Sequence, residues 1–205
     1  MPARSNVRSR AALGIAVKSG WAAAVLVEQS AASIKVCDSV RIELSDPASS
    51  EGRQPYHQGF GTARQAGPKL VQLLGSVRRF GRRSVMIAIK RYSTGRDRLA
   101  GAGLVVGSTI DPEQIANDHI RIHALEGRLF RTIVENAVQR AGLRCYTWRE
   151  RDLYKLAATA LSRPEHRLRA QLAGRPPGAS GPWRAEQKAA ALAAWLVLAK
   201  TPRRN

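Results

Sequence analysis

The first 44 residues carry three apolar segments separated by turn residues, a pattern typical of β-strands. The segments predict strands at about residues 11–17, 21–28 and 34–44, and the third shows period-two alternation through much of its length. The Lys18-Ser19-Gly20 segment predicts a tight turn between the first two strands. Because both connections are short, we expect three antiparallel strands.

Helical and strand patterns alternate along the rest of the chain. The predicted elements are a helix at 64–80, a buried strand at 84–89, a helix from Asp111 to Gly142, a strand at 143–148, and helices at 149–161 and 183–199. The stretches 45–63 and 92–110 are predicted to be irregular, the second because of its glycines. This order predicts the α/β class: a mixed five-stranded sheet, with three antiparallel strands followed by strand–helix alternation, and helices on both faces.

The predicted organisation is a single domain with basic extensions. Residues 11–199 form the domain, and residues 1–10 and 200–205 form basic tails, of which the first is expected to be flexible. A basic Pro/Gly-rich insert at about 162–182 is expected to be exposed and partly disordered. No stretch has the roughly 18 uninterrupted apolar residues of a membrane helix. We therefore expect no membrane association and a cytoplasmic location, which the two unpaired cysteines also favour.

The charge balance of the chain points to a polyanionic partner. The formal net charge is +19, from 34 basic and 15 acidic residues, and Arg outnumbers Lys by 27 to 7. The planar guanidinium pairs bidentately with phosphate and stacks on bases, so nucleic acid, either DNA or structured RNA, is the expected partner. A GC-rich genome would account for the excess of Arg over Lys but not for the scarcity of acids. The sequence leaves the oligomeric state open.

Three short segments carry a resemblance to a known family. They are Gly14-Ile15-Ala16 on the first strand, Ala88-Ile89-Lys90 at the end of the strand predicted at 84–89, and the alanine-rich segment from Glu186 to Ala193. With the element order, they resemble the RNase H-like superfamily, in particular the Holliday-junction resolvases of the RuvC type, over about residues 11–199. In that family the corresponding segments read Gly-Ile-Asp, Ala-Ile-Glu and paired aspartates among alanines.

The resemblance implies a nuclease whose acids hold two Mg²⁺ ions, and this chain lacks those acids. Ala16 offers no oxygen ligand, and Lys90 places a positive charge where the cation would lie. We therefore expect a non-catalytic nucleic-acid-binding protein on a degenerate RuvC-like scaffold, with no cofactor. Two alternatives remain. One is an enzyme with a rebuilt site, and the other is a scaffold subunit that binds an acidic protein.

Four basic residues are expected to gather near the family's catalytic centre if the resemblance holds. Lys18, Lys90, Arg91 and Lys188 would form a cationic pocket that binds phosphate in place of metal. The alternative is that each lysine pairs with a nearby acid such as Glu186. Both interpretations stay open on the sequence alone.

The enzyme alternative rests on a second group of residues. His119, His123 and Glu126 are spaced to share one face of the predicted helix, and His at i and i+4 can bind Zn²⁺. With Glu186, they could supply a rebuilt metal or acid–base site, and only this alternative calls for Mg or Zn. The ordinary interpretation is a polar helix face on which His and Glu pair with Arg121 or Arg128.

Two further segments have both a functional and a structural interpretation. Tyr56-His57 and Gly59-Phe60-Gly61 lie in the long loop at 45–63, where they could stack on a base, although packing of a surface loop is the more common role. Glu150 and Asp152 follow the predicted fifth strand. They could act as acid or base, or they could cap the next helix and pair with Arg149 or Arg151.

Overall fold

The strand–helix order of the chain is that of an α/β domain. The computed structural model describes residues 10–30, 33–58, 62–94 and 99–201. The strands and helices, in chain order, are β1 (Ala11–Lys18), β2 (Trp21–Ser30), β3 (Ser33–Glu43), α1 (Pro68–Ser93), β4 (Leu99–Val106), α2 (Asp118–Arg140), β5 (Cys145–Arg149), α3 (Leu153–Ala160), α4 (Glu165–Gln171) and α5 (Ala185–Lys200).

The five strands form one mixed sheet in the order β3-β2-β1-β4-β5. The two hairpin pairs are antiparallel, whereas β1 pairs with β4 and β4 with β5 in parallel. The fold class predicted from the sequence is therefore confirmed. Because β1, β4 and β5 are parallel, their last residues, Lys18, Val106 and Arg149, lie at one edge of the sheet, which we call the carboxyl edge.

Side chains that alternate along β1 divide the core into two layers. Leu13 and Ile15 pack with apolar residues of α1 and α2. Ala12 and Ala16 pack with α5 and with residues of α3 and α4. Strand side chains point to opposite faces with a period of two, so α1 and α2 cover one face of the sheet and α3 to α5 cover the other. No helix in the described part of the chain is long and apolar enough to cross a membrane.

Helix α5 lies against β1 and β4 at backbone contact distance. A Cβ atom added at Gly14 would overlap the carbonyl oxygen of Ala190, and one added at Gly103 would lie 2.8 Å from the carbonyl oxygen of Ala193. Residues 189–194 of α5 are all buried, and five of these six are alanines. Small side chains on both surfaces thus allow the helix to approach the sheet more closely than larger residues would permit.

The prediction of a strand at 84–89 is wrong, because these residues continue helix α1. Buried positions in α1 recur at helical spacing. Gly81, which follows the end of the helix predicted at 64–80, lies within the helix and close to Leu44, whose carbonyl oxygen would be 2.7 Å from an added Cβ. The fourth strand is instead Leu99–Val106, in a stretch predicted to be irregular. Its glycines gave it a loop-like composition, but Gly103 is a close-packing position beneath α5.

Two other predictions also need correction. Helix α2 begins at Asp118, capped by the Asn117 side chain, while Asp111 caps only a short 3₁₀ turn. The insert at 162–182 is not a loose segment: it contains α4, and its Leu168, Leu172 and Ala179 are buried. The tails, apart from residues 10, 200 and 201, and the Gly59-Phe60-Gly61 segment lie outside the described residues.

Gly14→Ala should destabilise the protein because the new methyl group overlaps the α5 backbone. We expect the free energy of unfolding to fall by about 3 kcal/mol or more, at the upper end of overpacking effects, measured by urea denaturation. Gly127→Ala on α2 is the matched control, since nothing lies within 4 Å of an added Cβ there. It should raise stability by about 0.5–1 kcal/mol through helix propensity. Equal stability of the two variants would contradict the close packing of α5.

Candidate functional site

The place where the resemblance expects a catalytic acid is filled by packed small residues. Ala16 is 1% exposed and pairs with Ala23 of β2 and Val105 of β4 within the core beneath α5. Neither β1 nor β4 contains an acidic residue. Mg²⁺ needs oxygen ligands in near-octahedral arrangement, and the two strands offer no carboxylate. The residues present therefore do not fit the family's metal centre, even after the correction of the fourth strand.

The structure does not bring together the four basic residues of the expected phosphate pocket. Lys90 and Arg91 lie on α1, on the opposite face of the sheet from α5 and its Lys188. Because α1 ends six residues before β4 begins, Lys90 and Arg91 lie toward the start of β4, away from the carboxyl edge where Lys18 is found. Arg91 instead bonds to Asp38 of β3 at 2.8 Å.

The acids after β5 form ion pairs. The Glu150 carboxylate accepts a hydrogen bond from the Lys18 ammonium at 2.9 Å, so one predicted phosphate ligand already has an acidic partner. Asp152 pairs with Arg149 at 2.6 Å. The pairing predicted for Asp152 is thus present, whereas Glu150 contacts a residue far away in the chain.

Three histidines converge on the other side of the sheet. His119 and His123 lie in the first two turns of α2, and His57 comes from the loop after β3. One ring nitrogen of each lies within 4.8 Å of those of the other two, and the Nε2 atoms of His119 and His123 are 3.3 Å apart. We call His57, His119 and His123 the histidine cluster. Because β3 ends at the carboxyl edge, paired through Trp21 with the end of β1, the loop that carries His57 starts there, and the cluster lies toward that edge.

Arg64 holds the loop that carries His57. Its guanidinium donates hydrogen bonds to the carbonyl oxygens of Pro55 and His57, both at 3.1 Å, and pairs with Glu51 at 2.9 Å. His57 also forms an isolated β-bridge with Ala63. These bonds fix the backbone on both sides of His57, so the loop presents this side chain to α2 in a defined position.

Glu126 is a buried carboxylate beneath the cluster. Its side chain is fully buried, and Oε1 lies 2.7 Å from Nδ1 of His57. Its second oxygen, Oε2, has no hydrogen-bond partner among the described residues. Burial raises the pKa of Glu126, and the interaction with His57 and a backbone hydrogen bond from Tyr56 oppose that shift. A buried carboxylate is stable only with hydrogen-bond donors or positive charge beside it, and Tyr56 and His57 of the loop after β3 supply these to Glu126.

The cluster favours neutral imidazole at its centre. Partial burial lowers the pKa of His123, and repulsion from His57 and His119 lowers it further. Neutral imidazole is the form that binds metal ions. When the Nδ1 proton of His57 is donated to Glu126, its Nε2 keeps a lone pair for a ligand, a carboxylate–histidine arrangement found at many metal sites.

The sequence identified part of this cluster. His119, His123 and Glu126 share a helix as predicted, and the suggestion that they pair with Arg121 or Arg128 is wrong. Those arginines bond to Asp118 and Asp111 instead. Glu186 lies on α5, on the opposite face of the sheet, and does not belong to the cluster.

His57 was missed as a member of the cluster. The sequence indicated only a histidine beside Tyr56 in a long loop, and nothing local shows that this loop folds back onto α2. Its contact with Glu126 joins residues 69 positions apart.

Comparisons with known proteins identify the fold. No protein-family model and no curated protein matches the sequence. The structure is similar to that of Thermus thermophilus RuvC, with 11% sequence identity, a TM-score of 0.52 and coverage of 91% of this chain and 92% of that one. It is also similar to T. thermophilus RuvC in complex with a Holliday junction substrate, with 12% identity, a TM-score of 0.52 and 91% coverage of both chains. The chain therefore has an RNase H-like fold of the RuvC type.

Proposed function

We propose that this protein binds nucleic acid through the phosphate backbone, on a RuvC-like scaffold without the family's nuclease site. The similarity to RuvC, one of whose structures contains a Holliday junction substrate, supports the class of partner. The net charge of +19 supports the mode of binding, because neutralised phosphates release counterions whatever their sequence. DNA and structured RNA both fit this chemistry.

The observation that carries the proposal is the solvent-facing side of α1. This helix has 26 residues, about 39 Å of length, and contains seven basic residues and no acidic one. All seven are exposed, and we call them the basic face of α1: Lys69, Arg78, Arg79, Arg82, Arg83, Lys90 and Arg91.

Most of the basic face has no acidic partner. Within the described part of the chain, Arg91 is the only one of the seven with a carboxylate within ion-pairing distance. Arg79 and Arg83 lie one turn apart, and Arg82 lies beside them, so three guanidinium groups project from one region. Such a cluster of like charges repels itself, and a line of phosphates would offset that repulsion.

The proposal excludes the RuvC-type cleavage reaction. Two-metal hydrolysis needs carboxylates to hold the ions, and β1 and β4 supply none. Ala16 lies beneath α5 without access to solvent, so even a new carboxylate there would be enclosed rather than presented to a substrate.

Binding to a DNA duplex or a four-way DNA junction should be measurable at low salt and weaken steeply as salt increases. Replacing Arg79, Arg82 and Arg83 together with Ala should weaken binding to all sequences alike. It should also reduce the slope of log K against log salt by about 2 to 3, since each lost phosphate contact contributes about 0.9. Fluorescence anisotropy over a salt series measures both quantities.

A matched triple variant separates this surface from net charge. Arg121, Arg128 and Arg169 each pair with an acid, so their joint replacement by Ala removes the same charge from arginines already neutralised locally. It should leave the slope close to that of the wild type. Equal loss in both variants would contradict the assignment to α1. Absence of binding at low salt, with co-purification of an acidic protein after nuclease treatment, would instead favour the scaffold alternative.

Ala16→Asp should destabilise the protein without creating a nuclease. The new carboxylate would be buried in the apolar layer beneath α5, which should lower the free energy of unfolding by about 3 kcal/mol or more. Urea denaturation measures this, and Ala16→Val controls for added volume with a smaller loss. We expect no Mg²⁺-dependent cleavage of a four-way junction by wild type or variant. A stable Ala16→Asp protein that cleaves the junction would contradict the enclosed position of residue 16 beneath α5.

A further inference from the structure

We propose that the histidine cluster is a binding site for a divalent transition-metal ion, with Zn²⁺ as its preferred occupant and Glu126 as the carboxylate that orients His57. The proposal is independent of the nucleic-acid function and concerns the opposite side of the sheet from Ala16.

The spacing of the donor atoms suits a tetrahedral ion. Zn–N bonds of about 2.0–2.1 Å imply ligand atoms about 3.3–3.4 Å apart in a tetrahedral site. The Nε2 atoms of His119 and His123 are already 3.3 Å apart. The ring nitrogens of all three histidines lie within 4.8 Å, so binding of an ion requires the widest pair to close by about 1.5 Å.

The position of Glu126 is a second feature of the cluster that favours a metal site. Histidines that merely pack against one another need no buried carboxylate beside them. A fully buried carboxylate on the Nδ1 side of His57 accepts the Nδ1 proton, so the neutral ring has its lone pair on Nε2, which is the tautomer that a metal needs. The carboxylate also makes the imidazole a better electron donor. In return, the charge of the ion would offset the burial of Glu126, whose Oε2 has no donor within the described residues.

The ligands come from two rigid sources. His119 and His123 are fixed by α2, whose start is capped by Asn117, and His57 is fixed by the bonds of Arg64 to its loop. An ion would therefore join the loop after β3 to α2 with little ordering on binding.

The donor set selects the class of ion. Imidazole nitrogens suit Zn²⁺, Cu²⁺, Ni²⁺ and Co²⁺, whereas Mg²⁺ and Ca²⁺ require oxygen ligands. Three protein ligands leave a fourth position, and His119 and His123 are exposed, so that position faces solvent. The arrangement thus matches a site that keeps a water molecule on the ion, rather than a closed structural site.

The test is titration of EDTA-treated, dialysed protein with ZnCl₂ by isothermal calorimetry. We expect one Zn²⁺ per chain and an increase in the melting temperature of the wild type. Co²⁺ should give the strong visible absorption of a four-coordinate site with three nitrogen ligands and one water. Because His119 and His123 are exposed, His119→Gln and His123→Gln should fold normally and weaken Zn²⁺ binding by about 100-fold or more.

His166→Gln is the matched control. His166 is the fourth histidine of the chain and is exposed on α4, away from the cluster, so its loss should leave Zn²⁺ affinity unchanged. Glu126→Gln should weaken binding by about 10- to 100-fold, because it removes the carboxylate but none of the ligands. Circular dichroism of each variant confirms that the fold is retained.

Two results would overturn the proposal. One is the absence of stoichiometric Zn²⁺ binding by folded wild type, and the other is equal loss of affinity in His166→Gln and His119→Gln. Nucleic-acid binding by His119→Gln should match the wild type, so failure of the metal site and failure of the proposed function remain distinguishable.

Discussion

The close contact of α5 with β1 and β4 is the constraint on which the rest of the structure depends. Gly14 and Gly103 lie directly beneath helix backbone, and any larger residue at either position would displace α5. The same contact explains the alanine-rich sequence of the helix, because short side chains on both surfaces maximise dispersion contacts at close approach. The sheet centre and α5 thus form one packed unit.

This packing also decides where chemistry is available. In the RuvC-type resemblance, the acids would occupy the region between β1, β4 and the last helix, and here that region contains Ala16 and the alanines of α5. The charged and titratable groups of interest lie on the other side, on α1, on α2 and in the loop after β3. The basic face of α1 and the histidine cluster therefore share one face of the sheet, although they use different chemistry.

The buried carboxylate of Glu126 determines how the loop after β3 packs against α2. It lies on the inward side of α2, next to buried Ile122 and Leu129, where an unpaired carboxylate would be strongly unfavourable. His57 is the residue that reaches it, and Arg64 holds the backbone that makes this reach possible. One buried acid thus depends on a specific loop conformation, which brings a third imidazole beside His119 and His123.

The sequence by itself determined what depends on local pattern and composition: the hairpin strands, the alanine-rich last helix, the i, i+4 spacing of His119 and His123, and the large positive charge. Tertiary structure decided the elements where local pattern was ambiguous. The apolar run at 84–89 satisfies both strand and helix patterns, and burial against the sheet selected helix. The glycines of β4 are typical of a loop in the local sequence, and only the packing of α5 against Gly103 explains their place in a strand. The partners of His57 and Lys18 are distant in the chain, and no local interaction encodes such contacts, since they exist only once the sheet and its two layers of helices are assembled.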